Sequence, residues 1–261
     1  MQFKLYNSTE LFQILDTESK KKKGRKKNYE YPFDFEFKKR KEAFNKDNKR
    51  KFHGSGIYLI TFNDSDEYNK EIIYIGKYMP HDKGNVITDR WIKHIATFTN
   101  RGHKLGGFGK ERTRNKKNTK YLILEKLENE DKKINDIIQR IKKEGRTQDT
   151  GCSTSVKRLE FAYKYWGTFK VDKPDFKEKV LPKFQFYYMQ LNGYRKDAIP
   201  VLQGNPISVK EYYENLASLI ETYLLWKYNP VCNSNKGLKE MDGITPIKVE
   251  TKINSFLKKL N

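Results

Sequence analysis

The chain has 261 residues, enough for one large domain or for a core with an insertion. It carries 54 Lys and Arg against 33 Asp and Glu, a net charge of +21, so we expect a polyanionic partner, with nucleic acid the leading candidate. No apolar run reaches the roughly 20 residues of a membrane-spanning helix, and the start of the chain does not resemble a signal peptide. We therefore expect a cytoplasmic protein that makes no membrane contact. Cys152 and Cys232 form no CxxC or Cys/His cluster, which argues against a disulfide framework or a zinc site and predicts two free thiols.

Residues 1–53 form a basic N-terminal arm whose densest lysine and arginine runs lie at 20–27 and 38–41. Two interpretations remain open: a solvated or disordered tail, or a clamp on the DNA backbone. Aromatic residues are interleaved with the charges at Tyr29, Tyr31, Phe33, Phe35 and Phe37. Because a purely disordered tail carries few aromatic residues, we expect part of the arm to dock on the body.

Two strands and a helix follow the arm. Residues 56–62 and 72–76 are mainly β-branched, aromatic or otherwise apolar, and the polar stretch between them predicts a hairpin loop joining two antiparallel strands. Thr88 is a suitable cap for a helix that runs to Phe98. Arg90 and His94 lie one turn apart on that helix, beside its apolar stripe.

The second half of the chain contains further predicted elements. A basic glycine-rich loop at 101–112 precedes a predicted strand at 121–127 and an amphipathic helix from Ile134 that ends at Gly145. Residues 183–191 predict a third core strand. Ser208 and Glu211 then form a capping box that opens a long helix, which ends at the Asn229-Pro230 pair.

The chemically informative residues form one ordered series. Gly56-Ile57-Tyr58 is followed by Tyr74-Ile75-Gly76-Lys77, then Arg90 and His94, and finally Glu221 and Asn233. Each short motif alone is a weak signal, but the seven positions in this order resemble the GIY-YIG nuclease superfamily, and in particular its restriction-endonuclease branch. The resemblance covers roughly residues 54–99 and 183–236, under half of the chain.

The resemblance implies an α+β fold in which helices flank a small three-stranded antiparallel sheet. Residues 54–240 would then form the nuclease core, with a large insertion at about 100–180. Residues 241–261 would be a C-terminal tail.

The resemblance also implies roles in phosphodiester hydrolysis. Tyr58 would be the general base or would orient the attacking water, and Tyr74 would be a partner hydroxyl. A tyrosine needs a nearby cation to lower its pKa from about 10, and Lys77 is the candidate. Glu221 would hold a single Mg²⁺, for which Mn²⁺ could substitute, and Asn233 would support the site structurally.

Arg90 and His94 complete the predicted site. Arg90 can present a planar fork to the scissile phosphate, which a lysine could not do bidentately. His94 can accept or relay a proton near neutral pH. The paired arginine and histidine are what favour the restriction branch.

We therefore predict a Mg²⁺-dependent endonuclease that acts on double-stranded DNA, most simply as a type II restriction enzyme. Cutting both strands from single-ion sites further predicts a homodimer, at least on DNA. Two alternatives stay open: a phage or mobile-element nuclease of low specificity, and a non-catalytic DNA-binding protein. The basic residues predicted to contact DNA are Lys104, Lys110, Arg112 and Arg114.

Overall fold

The computed structural model describes residues 3–16, 33–37, 54–64, 71–79, 86–101, 110–112, 119–121, 124, 135–136, 139, 156–191, 201–202, 205–206 and 208–233. The chain divides into two compact units, each assembled from separate stretches of sequence. Unit 1 comprises Met1–Tyr6, Lys39–Val86 and Gln185–Asn261, and unit 2 comprises Asn7–Lys38 and Ile87–Phe184. The predicted hairpin and long helix fall in unit 1, whereas the predicted first helix groups with the segment expected to be an insertion.

A four-stranded sheet is the centre of unit 1. It consists of β1 (Lys4–Asn7), β4 (Gly56–Phe62), β5 (Glu71–Tyr78) and β8 (Phe184–Gln190), in the order β1-β8-β4-β5. β4 and β5 are antiparallel and pair Tyr58 with Gly76, which confirms the predicted hairpin. The small sheet and its helices agree with the predicted α+β class.

The sheet has one strand more than the three expected. The extra strand, β1, comes from the basic arm and has only four residues, of which Lys4, Leu5 and Asn7 are exposed. A short edge strand of this kind lacks the alternating apolar pattern that identifies a strand from sequence. The sequence pattern therefore does not distinguish this strand from the rest of the charged arm.

The long helix α6 (Val209–Tyr228) packs against this sheet. Ser208 caps it as predicted, because its hydroxyl accepts from the Glu211 N–H at 3.2 Å. The helix ends at Asn229, which adopts a left-handed conformation with φ 41° and donates to the Leu225 carbonyl. The apolar faces of sheet and helix share one buried cluster. Its members are Ile57, Leu59, Ile75, Met189, Leu191, Tyr212, Tyr213, Leu216, Ala217, Ile220, Tyr223 and Leu224.

Unit 2 begins within the predicted arm. It contains the short helix α1 (Ser8–Leu11) and an antiparallel pair of strands, β2 (Phe12–Asp16) and β3 (Phe33–Phe37). Phe35 is fully buried and packs on Phe176, with the ring centroids 5.5 Å apart. The expectation that part of the arm docks on the body is therefore confirmed, while its two lysine runs lie outside the described residues.

The remaining elements of unit 2 are mostly helical. A π-helical turn (Ile87–Trp91) leads into α2 (Ile92–Phe98), and β6 (Lys110–Arg112) pairs with β7 (Thr119–Tyr121). Three α-helical segments follow, α3 (Val156–Lys164), α4 (Trp166–Phe169) and α5 (Lys173–Asp175). A π turn (Phe176–Val180) and a 3₁₀ turn (Leu181–Lys183) then lead into β8.

Two predicted elements fall largely outside the described residues. Of the predicted strand at 121–127, the structure describes Tyr121, in β7, and the buried Leu124. Of the predicted helix that starts at Ile134, it describes Asn135, Asp136 and Gln139, all helical. A further two-residue pair, β9 (Val201–Leu202) with β10 (Asn205–Pro206), precedes α6. Within the described ranges, every helix is too short or too polar to cross a membrane.

Candidate active site

The glycine of the second motif makes room for the tyrosine of the first. Tyr58 and Gly76 are direct partners on β4 and β5, and Tyr58 is only 2% exposed. A Cβ atom at Gly76 would lie 2.5 Å from the Tyr58 hydroxyl and 2.6 Å from the ring carbon that carries it. The Tyr58 ring therefore extends across Gly76, which places its hydroxyl over β5, an edge strand of the sheet. The Tyr74 ring lies beside it, with the centroids 5.9 Å apart.

The glycine of the first motif is fixed by the neighbouring strand. A Cβ atom at Gly56 would lie 2.5 Å from the Met189 carbonyl oxygen and 2.6 Å from the Tyr188 ring. Tyr188 in turn donates its buried hydroxyl to the Gly54 carbonyl at 2.7 Å. Both motif glycines thus allow neighbouring groups to approach their strands closely. Gly56 lets β8 pack against β4, and Gly76 lets the Tyr58 ring lie over β5.

The outer edge of β5 is closed by residues from the far end of the chain. Asn233 binds the Ile75 backbone twice: its Oδ1 accepts from the N–H at 2.8 Å and its Nδ2 donates to the carbonyl at 2.7 Å. The Cys232 N–H donates to the Ile73 carbonyl at 2.9 Å. An open strand edge presents unpaired backbone groups, and here Cys232 and Asn233 occupy that edge as a partner strand would. Asn233 is 9% exposed, so these bonds are shielded from water.

Glu221 binds the same edge two residues further along β5, at Lys77. Its Oε1 accepts from the Lys77 N–H at 3.1 Å, and its side chain is partly buried. The Tyr58 hydroxyl lies over Gly76, the residue before Lys77, so backbone geometry keeps this hydroxyl and the Glu221 carboxylate within about 10 Å of each other. Mg²⁺ binds proteins through one or two carboxylates and completes its shell with waters and substrate phosphates. One partly buried carboxylate beside the edge strand fits that requirement.

Lys77 uses its backbone and its side chain differently. Its N–H binds Glu221, whereas its ammonium group donates to the Ser218 hydroxyl at 2.7 Å. Side chains alternate between the faces of a sheet, so Lys77 projects from the face opposite Gly76 and the Tyr58 ring. In this structure the ammonium group is engaged with α6, and its assistance to Tyr58 stays a prediction.

Arg90 and His94 lie in unit 2. Arg90 is exposed at the end of the π turn, while His94 is 4% exposed and stacks on Phe98 at 5.6 Å with an interplanar angle of 10°. Burial lowers the pKa of His94 well below its ordinary value, and the charges of Arg158, Arg90 and Lys93 lower it further. The imidazole is therefore neutral at pH 7, and its burial and the surrounding positive charges oppose its protonation.

Five of the seven predicted positions thus meet at one edge of the unit 1 sheet: Tyr58, Tyr74, Lys77, Glu221 and Asn233. The other two, Arg90 and His94, share a helical segment of unit 2. Of the predicted DNA contacts, Lys110 and Arg112 lie on β6, while Lys104 and Arg114 fall outside the described residues.

Sequence reasoning missed two residues, one in each unit. The Ser218 hydroxyl accepts a hydrogen bond from the Lys77 ammonium group. Because Ser218 lies three residues before Glu221, the sequence could have placed it on the same side of the helix. Arg158 is 4% exposed, with its guanidinium 5.6 Å from the centre of the Phe98 ring. An arginine within a predicted insertion gives no sign in the sequence that it will be buried beside a histidine.

Within the described part of the chain, no three His, Cys, Asp or Glu side chains are grouped so as to hold a metal ion. Any ion at this edge would therefore depend on Glu221 with ligands from water and substrate. Comparison with protein-family models, with curated proteins and with solved structures gives no match to this chain.

Proposed function

We propose that this protein is a Mg²⁺-dependent endonuclease of the GIY-YIG type that hydrolyses phosphodiester bonds in DNA, acting as a type II restriction enzyme. One observation carries the proposal: the Tyr58 hydroxyl and the Glu221 carboxylate approach adjacent residues of the edge strand β5 from opposite faces of the sheet, within about 10 Å of each other. Gly76 lies under the first, and the Lys77 N–H binds the second. Residues 163 positions apart in sequence are thereby held on adjoining backbone atoms of β5.

Each residue at this edge has a task in hydrolysis. The Tyr58 hydroxyl orients the attacking water, because a phenol hydroxyl can donate one hydrogen bond and accept another. Glu221 would hold Mg²⁺, which when bound stabilises the charge on the phosphate and on the leaving oxygen. The Lys77 N–H and the Asn233 side chain keep Glu221 and β5 in register by fixed hydrogen bonds.

The charge of the chain supports a DNA substrate. A net charge of +21 on 261 residues provides the phosphate contacts and counterion release that drive binding to a polyanion. Arg90, exposed on its helical segment, can offer two parallel N–H donors to one phosphate. His94 lies one turn away and is neutral, and because burial and the neighbouring cations oppose its protonation, its role in proton transfer stays a prediction.

A plasmid-cleavage assay with and without Mg²⁺ tests the proposal. We expect wild-type protein to convert supercoiled DNA to nicked and linear forms only with the cation. Glu221→Gln keeps an oxygen that can accept from Lys77 but removes the charge, so cleavage should fall at least about 10²-fold while DNA binding persists. Tyr58→Phe should reduce the cleavage rate without changing thermal stability.

Glu214→Gln is the matched control for Glu221→Gln. Glu214 is also partly buried on α6, so this variant makes the same chemical change on the same helix at a residue outside the predicted site. Equal cleavage by wild type and Glu221→Gln, or equal loss in both glutamine variants, would refute the metal assignment. A restriction role further requires discrete fragments with one shared end sequence, and a continuous smear would instead indicate a nuclease of low specificity.

A further inference from the structure

Exposed apolar side chains are concentrated at the end of α6. Among the described residues, four large hydrophobic side chains are strongly exposed: Leu5 (48%), Trp226 (40%), Tyr228 (46%) and Val231 (41%). Single exposed apolar residues are normal on protein surfaces, but clusters mark interaction sites. Three of these four fall within six consecutive residues, so this helix end is a candidate binding surface.

The aromatic rings in this region lie near one another, and a lysine ammonium group lies near two of them. The Tyr223 and Trp226 rings lie 6.3 Å apart, and the Lys227 ammonium group lies 5.7 Å from the centres of both the Tyr223 and the Tyr228 rings. We call Tyr223, Trp226, Lys227 and Tyr228 the aromatic end of α6. Interleaved rings and a positive charge are the combination that binds single-stranded nucleic acid, since bases stack on rings and phosphates pair with cations.

The aromatic end lies close to the predicted site. Tyr228 follows Glu221 by seven residues, two helical turns, so the two residues project from nearly the same side of α6. The rise of the helix separates them by about 10 Å along its axis. A strand whose phosphate lies at Glu221 would therefore carry its neighbouring nucleotides past Tyr228.

We propose that the aromatic end of α6 binds unstacked bases of DNA next to the phosphodiester that is cut. The proposal rests on the proposed function for its position relative to the cleavage site. It adds base stacking to the phosphate contacts already inferred. Tyr228 would take the nucleotide nearest Glu221, on the same side of α6, and Trp226, about 160° away around the axis, would take a nucleotide that passes around the exposed helix end. A positively charged partner is disfavoured by Lys227 and by the net charge of the chain.

The test is binding of a fluorescein-labelled oligothymidylate of about 12 nucleotides, measured by anisotropy in EDTA so that no cleavage occurs. An abasic strand of the same length provides the phosphates without the bases. We expect wild-type protein to prefer the oligothymidylate, and Trp226→Ala or Tyr228→Ala to weaken its binding about tenfold while leaving binding of the abasic strand unchanged. Both side chains are exposed, so neither substitution should alter the thermal unfolding temperature.

Three control variants separate stacking from general apolar contact. Trp226→Phe and Tyr228→Phe retain a ring and should bind the oligothymidylate nearly as wild type does. Val231→Ala removes exposed apolar surface without removing a ring and should also leave binding intact. Equal weakening by Val231→Ala and Trp226→Ala, together with a lower mass by sedimentation, would instead identify a contact between copies of the chain and would overturn the proposal.

The two proposals fail in different ways. If Trp226→Ala binds the oligothymidylate as tightly as wild type does while Mg²⁺-dependent plasmid cleavage persists, the stacking proposal falls and the nuclease proposal stands. If wild-type protein cuts no DNA but loses oligothymidylate binding on Trp226→Ala, the nuclease proposal falls and the helix end remains a nucleic-acid contact. Equal binding of the abasic and thymidylate strands by wild type would also refute stacking.

Discussion

The edge of β5 in unit 1 and the surroundings of His94 in unit 2 place polar residues in opposite ways. At the β5 edge, backbone groups are hydrogen-bonded to side chains from the far end of the chain, as in the double bond between Asn233 and Ile75. Around His94, charged and titratable groups are packed against rings, with Phe98 contacting both His94 and Arg158. The first arrangement fixes positions by directional bonds, whereas the second fixes charge states by exclusion of water.

The two arrangements should respond differently to substitution. Changes at the β5 edge should affect geometry, and therefore stability and cleavage together. Changes around His94 should affect the pKa of its imidazole and the dependence of stability on pH. Arg90→Lys, which keeps the positive charge near that buried group, should affect cleavage without changing stability.

Arg90→Lys is expected to have the largest effect, because it keeps the charge but loses the planar fork of donors. We expect cleavage to fall by about 10²-fold or more, nearly as far as in Arg90→Ala, with unchanged thermal stability because the side chain is exposed. Plasmid-cleavage rates and thermal unfolding measure the two quantities. Lys93→Ala, which removes an exposed charge from the same helical segment, should retain activity, and full activity in Arg90→Lys would refute the bidentate role.

Asn233→Ala should destabilise unit 1, because it removes both hydrogen bonds to Ile75 and leaves a buried N–H and a buried carbonyl without that partner. We expect the free energy of unfolding to fall by about 2–4 kcal/mol, measured by urea denaturation. Asn215→Ala, at an exposed position of α6, should change it by less than about 0.5 kcal/mol. Similar values for both variants would mean that the β5 edge is not fixed by Asn233.

Gly76→Ala tests the close approach of Tyr58 to β5. The added Cβ atom would lie 2.5 Å from the Tyr58 hydroxyl, so the ring must move and unfolding free energy should fall by about 1–3 kcal/mol. Cleavage should fall as well, because the hydroxyl is displaced. In a Tyr58→Ala background the same substitution should cost much less, the remainder coming from the Tyr74 ring, whose nearest carbon would lie 3.0 Å from the Cβ atom. An equal penalty in both backgrounds would show that the Tyr58 ring is not the obstacle.

His94 should make the protein less stable in mild acid. Burial and the cations around it hold its folded pKa well below the ordinary 6.5, so between these two values the unfolded chain binds a proton that the folded chain does not. Stability from this residue is therefore complete above about pH 6.5 and is lost as the pH falls below it, by about 1.4 kcal/mol per pH unit at most. His94→Gln should reduce the loss of stability between pH 7.5 and pH 5.5, measured by urea denaturation, and an unchanged loss would contradict the assignment.

The sequence predicted the elements whose pattern is local. The strands at 56–62 and 184–190 match their predicted positions closely, and Ser208 and Asn229 bound α6 as expected, because alternation, capping and turn chemistry involve neighbouring residues. The strand from Lys4 to Asn7 was missed, since its contribution depends on a partner more than 170 residues away.

The candidate site shows the same division. Motif order brought together Tyr58, Lys77, Glu221 and Asn233, but it could not show that the Lys77 ammonium group turns to Ser218. That contact follows from which face of β5 each residue occupies and from how α6 is rotated, and both are set by the packed core. The burial of Arg158 beside Phe98 likewise depends on tertiary packing, which no local pattern encodes.

The hydrogen bonds that close the β5 edge also determine when, during synthesis of the chain, the candidate site can form. Glu221 and Asn233 reach Lys77 and Ile75 across 144 and 158 residues of chain. During translation the hairpin that carries Tyr58 therefore emerges long before the carboxylate and the amide that complete its edge. Until residue 233 has left the ribosome, the candidate site lacks parts that no earlier segment supplies. On the proposed function, a nascent chain would therefore lack the Glu221 carboxylate, and with it cleavage activity, until α6 has been synthesised and has docked on β5.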